Sequence, residues 1–208
     1  MPQRAVQQPG DVRHEFQLRR SELKKLFWIV SLCLPALAQT EQPPANPLST
    51  WLRGAYMGNR NNILRSAEKM PEEFYGLRPG AQEEVRTFGQ QLGHLANYNY
   101  LWCSQAKGEK NPNAGQNLEK LTTKAEFTKA LTDAFAYCES VYTALTDASG
   151  TEMIDITQES GRQTRNLRMA LLILNYGHNN EIYGSIVTSM RMKNIVPPAS
   201  EPRPQRKQ

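Results

Sequence analysis

The sequence predicts an all-α fold, a four-helix bundle with a long crossover between its second and third helices. Four stretches space their apolar residues near 3.6 positions apart, and no long alternating run of β-branched residues competes with them. A Gly-, Asn- and Lys-rich segment from Lys107 to Leu121 separates the middle two, and its length suits a crossover better than a tight hairpin. Four helices cover their apolar stripes most simply as a bundle.

The first helix is expected from about Leu48 to Met70, with Trp51, Ala55, Ile63 and Ala67 on related turns and Pro71 closing it. After a turn at Pro79-Gly80, Thr87 opens the second, because Thr87-x-x-Gln90 is a capping box that satisfies free backbone amides from both ends. Phe88, Leu92, Leu95, Asn99 and Trp102 then share one face. Thr123-x-x-Glu126 is a second capping box, and Phe127, Ala130, Leu131, Phe135, Cys138 and Tyr142 follow before Gly150. The last helix is expected from about Thr164 to Lys193, with Leu167, Leu171, Leu174, His178, Ile182 and Ser185 as its stripe. Asn194 tolerates the left-handed conformation that ends helices, and Pro197-Pro198 cannot continue one.

Residues 1–38 read as a secretory signal. Six basic residues precede the apolar run Leu26 to Leu34, and Ala36-Leu37-Ala38 is a cleavage site that would leave Gln39 first. Even counted through Ala38 the run offers only thirteen residues, short of the roughly 20 that span a bilayer, so no stable membrane anchor is expected after cleavage. The expected organisation is therefore signal 1–38, linker 39–46, helical domain 47–196 and a flexible Pro-rich basic tail 197–208, in a secreted or periplasmic protein.

Export changes the meaning of the charge. Of 208 residues, 39% are apolar and 22% charged, enough for one packed domain, and the formal charge is +5. Six of the 25 basic and three of the 20 acidic residues lie before the cut, leaving 19 against 17. Three of those bases, Arg203, Arg206 and Lys207, sit in the tail. Nucleic acid is thus not an expected partner, since neither a helix-turn-helix nor a basic stripe with interleaved aromatics remains. The absence of a Gly-rich phosphate loop and of a Gly-x-Ser-x-Gly elbow argues against nucleotide and serine-hydrolase chemistry.

Two histidines follow the signal. On a helical wheel His178 lies at the centre of its stripe and His94 at the margin of the second helix, beside Tyr98 and Leu101. Cys103 and Cys138 would tie the second and third helices if their Cα atoms come within about 7 Å, and otherwise are two buried thiols. Recurrent aromatics, Trp51, Tyr56, Tyr98, Trp102 and Tyr176 among them, belong to the core or line a small-molecule pocket between helices.

Gly93-His94-Leu95-Ala96, Phe135-Ala136-Tyr137-Cys138 and the run from Asn175-Tyr176-Gly177-His178 through Glu181-Ile182 to Pro197-Pro198 resemble the DinB-like superfamily of four-helix bundles. The resemblance spans roughly Pro47 to Ser200. It implies a divalent metal, zinc or nickel, held by one histidine of the second helix and two spaced four apart on the fourth. His94 and His178 match the first two positions, but the third falls on Ile182, which cannot bind metal. Glu181, three residues from His178 and about 60° round the helix, is the remaining candidate donor. Three functional readings follow. One is a binding or structural protein for a small molecule, with a degenerate metal site. Another is a metal-dependent hydrolase or thiol transferase using His94, His178 and Glu181. A third is an oligomeric scaffold with no ligand, a homodimer among the expected assemblies, since relatives of the superfamily it resembles often dimerise through helix faces.

Overall fold

The computed structural model describes residues 45–158 and 160–202; the expected signal and nearly all of the linker lie outside them. Four long helices build the domain: α1 (Pro47–Lys69), α2 (Phe88–Lys107), α3 (Lys124–Ala144) and α4 (Arg168–Met192). Both capping boxes form, Thr87 with Gln90 and Thr123 with Glu126. The latter carboxylate accepts so many hydrogen bonds, chiefly from the Thr123 and Thr122 backbone amides, that its pKa is drawn down to about 2. α1 ends immediately before Pro71, and Asn194 takes a left-handed φ of 58° after α4, as the sequence indicates.

Side-chain contacts fix the helix directions. The Tyr56 hydroxyl of α1 donates to Phe135 O of α3 across 3.0 Å, and its ring stacks on Tyr142 at 3.9 Å. Asp147, just past α3, accepts from Ser49 N at the start of α1, so α1 and α3 are antiparallel. α2 and α3 instead run parallel. Gly89 faces Phe127 near both N-termini, and a disulfide joins Cys103 to Cys138 farther along, with Cα atoms 5.4 Å apart. Parallel neighbours cannot be joined by a tight turn, which is why the 108–123 connection runs back along α2 as the expected crossover.

Three expectations are corrected. First, α4 begins at Arg168, four residues later than the spacing suggests, because β1 (Met153–Thr157) and β2 (Gln163–Leu167) pair antiparallel before it, with Ile154 opposite Asn166 and Ile156 opposite Thr164. Second, Trp51 is 67% exposed; Leu52 and Tyr56 face the core in its place. Third, the buried face of α4 is turned from the expected stripe. Leu174 is 51% exposed, whereas Leu172, Asn175, Asn179 and Ile186 point inward.

Those buried asparagines are satisfied by one another. Asn99 of α2 donates to Asn179 Oδ1 at 3.1 Å and accepts from Asn175 Nδ2 at 3.1 Å, while the Tyr142 hydroxyl lies 2.9 Å from Asn175 Oδ1. Burial among these rings and amides holds the Tyr142 hydroxyl protonated, well above the usual tyrosine range. The chain after α4 turns through Pro198–Ser200, and Glu201 pairs with Arg65 and, at 2.6 Å, with Lys69 of α1. No described helix is long and apolar enough to cross a membrane.

Candidate functional site

The antiparallel packing of α2 on α4 brings His94 and His178 together, with ring centroids 5.0 Å apart and planes inclined by 60°. Their environments are the reverse of the expected ones. The His94 side chain is 8% exposed and that of His178 16%, so His178 is the one nearer the edge of the interface. The inversion follows from the turned face of α4, where an inward asparagine row occupies the place a hydropathy wheel gives to leucines.

A residue that sequence reasoning missed completes the His94 environment. Leu118–Lys120 is a short helical turn in the crossover, and its backbone presses onto α2 at Gly93 so closely that a Cβ there would lie 2.3 Å from Leu118 O. Glycine alone permits this approach. It places Glu119 Oε1 2.7 Å from His94 Nδ1, while Glu119 Oε2 accepts from Arg86 Nε at 2.8 Å. Burial alone would raise the Glu119 pKa, but the Arg86 and His94 hydrogen bonds hold the carboxyl below its ordinary value. An ionised carboxylate only accepts, so His94 carries its proton on Nδ1 and presents Nε2 as a lone pair. No motif announces Glu119; the glycine before His94 is the one signal that backbone could approach there.

His178 is enclosed by rings. Tyr98 and Trp102 of α2 have centroids 4.9 and 5.1 Å from it, the indole plane at 79° to the imidazole. Its Nε2 is buried without a hydrogen-bond partner among the described residues. Burial first, and then the neighbouring His94, lower the His178 pKa; burial likewise lowers that of His94 despite Glu119.

Glu181 does not converge with the two imidazoles. It is 78% exposed and lies 3.7 Å from the Nδ1 edge of His178. Ile182 is partly buried and packs against the core. Among the described residues no group of three or more His, Cys, Asp or Glu is arranged to hold a metal ion. The orphaned His178 nitrogen suits a ligand, but two imidazoles, with the nearby carboxylates on their Nδ1 edges, do not fit a three-donor divalent centre. Cys103 and Cys138 are consumed by their disulfide and add no donor.

The sequence profile of the DinB superfamily matches residues 55–180, a span that includes both histidines. The chain belongs to the DinB superfamily. Two solved DinB-like structures share the fold. One, from Bacillus subtilis, superposes with a TM-score of 0.56 at 18% identity, covering 74% of this chain and 99% of its own. The other, from Bacillus cereus, gives 0.55 at 15% identity, covering 71% and 93%. No curated protein matches the chain. In this DinB-like domain the histidine pair stands, among the described residues, without a third converging donor.

Proposed function

We propose that this DinB-like protein is exported and acts as a small-molecule-binding domain whose inherited metal centre is incomplete. The observation that carries the reading is Ile182, a hydrocarbon packed on the core at the position where the resemblance places a third ligand. The closed aromatic wall of Tyr98 and Trp102 around His178 supports it further, because those rings fill space beside the imidazoles. Metal analysis of the protein purified from Gln39 onward tests it: zinc and nickel well below one per chain are expected. Stoichiometric metal, lost in His94→Ala and His178→Ala, overturns it. Ile182→His is expected to raise metal affinity sharply if the third position faces the pair. Export is tested by the N-terminus of protein recovered outside the cytoplasm, expected at Gln39; a retained leader overturns that part.

A second reading, a metal-dependent hydrolase or thiol transferase, draws support from the unpartnered His178 Nε2 and from the carboxylate behind His94, since outer carboxylates orient metal-binding imidazoles elsewhere. The same metal analysis decides between the two.

A further inference from the structure

The free edge of β1 borders a cavity. In an antiparallel pair the rungs alternate, so every second residue turns its backbone N–H and C=O away from the neighbouring strand. Arg168 N donates to Glu152 O and Gln158 N donates to Arg162 O, which sets the rungs of this register at Glu152, Ile154, Ile156 and Gln158. Asp155 and Thr157 therefore aim their N–H and C=O groups outward, and none of these four groups is hydrogen-bonded among the described residues. A cavity of about 460 Å³ touches Asp155, Ile156 and Thr157 but no residue of β2, so it lies along that outward edge. The C-terminal half of α2 forms its second wall and the crossover its third. Gly108 and Ala114 belong to the crossover wall, and a Cβ added at Gly108 would meet nothing within 4 Å. Small groups with open space beside them thus stand across from the strand.

The edge selects its occupant by hydrogen bonding. Donors and acceptors in fixed alternation along a strand are complementary to another extended backbone, which pairs with them as an added strand. Asp155 and Thr157 are about 7 Å apart along β1, a distance that three residues of such a strand cover. Met153 to Thr157 includes no proline, and its β-branched residues favour the extended form.

Charge narrows the choice. Asp155 Oδ1 holds Arg165 at 3.0 Å, and Oδ2 has no partner among the described residues. Glu109 Oε2 holds Lys107 at 2.9 Å, with Oε1 equally unpaired among the described residues. Against these two carboxylates the described lining supplies one base, Lys110. Opposite charges on directly paired strand residues stabilise a sheet and like charges oppose it, so a basic residue opposite Asp155 is favoured. A second copy of this chain is the poorer occupant, because pairing β1 with itself about its central residue sets Asp155 against its own image.

We propose that β1 accepts a third strand along this edge, an extended peptide segment of a partner protein seated between β1 and the crossover with a lysine or arginine opposite Asp155. This docking is independent of the histidine pair and of any metal there. Isotopically labelled protein beginning at Gln39 is titrated with the end-blocked peptide Thr-Val-Lys-Val-Thr and with its glutamate counterpart. Saturable shifts of the Asp155 and Thr157 amide resonances are expected, with calorimetry giving the same Kd and the glutamate peptide binding about fivefold more weakly. Only alternate amides of an added strand face β1. N-methylation of the lysine and N-methylation of both valines are therefore expected to differ, one abolishing binding and the other sparing it.

Thr157→Pro deletes an outward N–H while keeping every β1–β2 rung, and is expected to weaken binding about tenfold, near the loss of one hydrogen bond. Ala114→Trp fills the cavity from the crossover side and is expected to abolish binding with the circular dichroism unchanged; should either variant unfold, the other decides. Asp155→Asn is expected to reduce the preference for lysine over glutamate. The proposal is overturned by the absence of saturable binding of the lysine peptide up to several millimolar, by equal effects of the two methylation patterns, or by binding indifferent to Thr157→Pro and Ala114→Trp. Self-association of the protein that Thr157→Pro abolishes overturns it as well, since the edge then belongs to a second copy.

Discussion

His94 donates from Nδ1 to Glu119 across 2.7 Å, a contact between a helix and the strap that crosses it. The carboxylate favours the imidazolium, and burial opposes it more strongly. Glu119→Gln keeps the shape and removes the charge, so the His94 pKa is expected to fall further below its ordinary value. Titration of the imidazole resonances by nuclear magnetic resonance checks this; an upward move contradicts the assigned role of the carboxylate.

Acid sensitivity follows from the same pair. Both histidines titrate below 6.5 in the folded protein, so the unfolded chain takes up protons first as the pH drops. Stability is therefore full above 6.5 and declines through the window beneath it. Glu119 adds a later loss, because its depressed folded pKa means that its contribution persists above 4.5 and disappears only as the pH falls through the folded value. Urea unfolding at a series of pH values is expected to show the upper step, and His94→Gln with His178→Gln is expected to flatten it.

The unpartnered His178 nitrogen carries a stability cost. His178→Phe replaces it with a ring among rings and removes a buried unsatisfied group, so stability at neutral pH is expected to stay level or rise by about 1 kcal/mol. A loss of several kcal/mol in thermal or urea unfolding would show that the nitrogen is satisfied by something bound in solution.

Two glycines should respond oppositely to alanine. Gly93→Ala forces a methyl into Leu118 backbone and is expected to cost about 1–3 kcal/mol while displacing Glu119 from His94. Gly58→Ala meets nothing within 4 Å inside α1 and is expected to stabilise by about 0.5–1 kcal/mol. Chemical denaturation of both variants side by side is the check.

Reducing the Cys103–Cys138 bridge, whose cysteines are 35 apart in sequence, is expected to remove about 3–4 kcal/mol by restoring loop entropy to the unfolded chain. Melting with and without reductant measures it.

The helices were legible because their signals are local: Thr87 with Gln90, Thr123 with Glu126, and apolar spacing between. The hairpin left a fainter trace, Ile154 and Ile156 alternating about Asp155 with Gly161 at a φ of 79° in the turn. The Leu167, Leu171, Leu174 spacing outweighed it by extending the helical pattern backward into β2. The histidine pair followed from family resemblance, but which ring is deeper did not. Asn99, Asn175 and Asn179 are polar residues that hydrogen-bond inside the bundle, and a scale of hydrophobicity sends such residues outward. Glu119 was invisible for a different reason, since its meeting with His94 depends on how a strap lies across a helix 25 residues earlier.

The disulfide encloses the entire strap between α2 and α3 in a covalent ring. A protease that nicks the chain anywhere between Cys103 and Cys138 therefore releases nothing: the two pieces travel as one molecule, still threaded by the same four rods, until a reductant parts them.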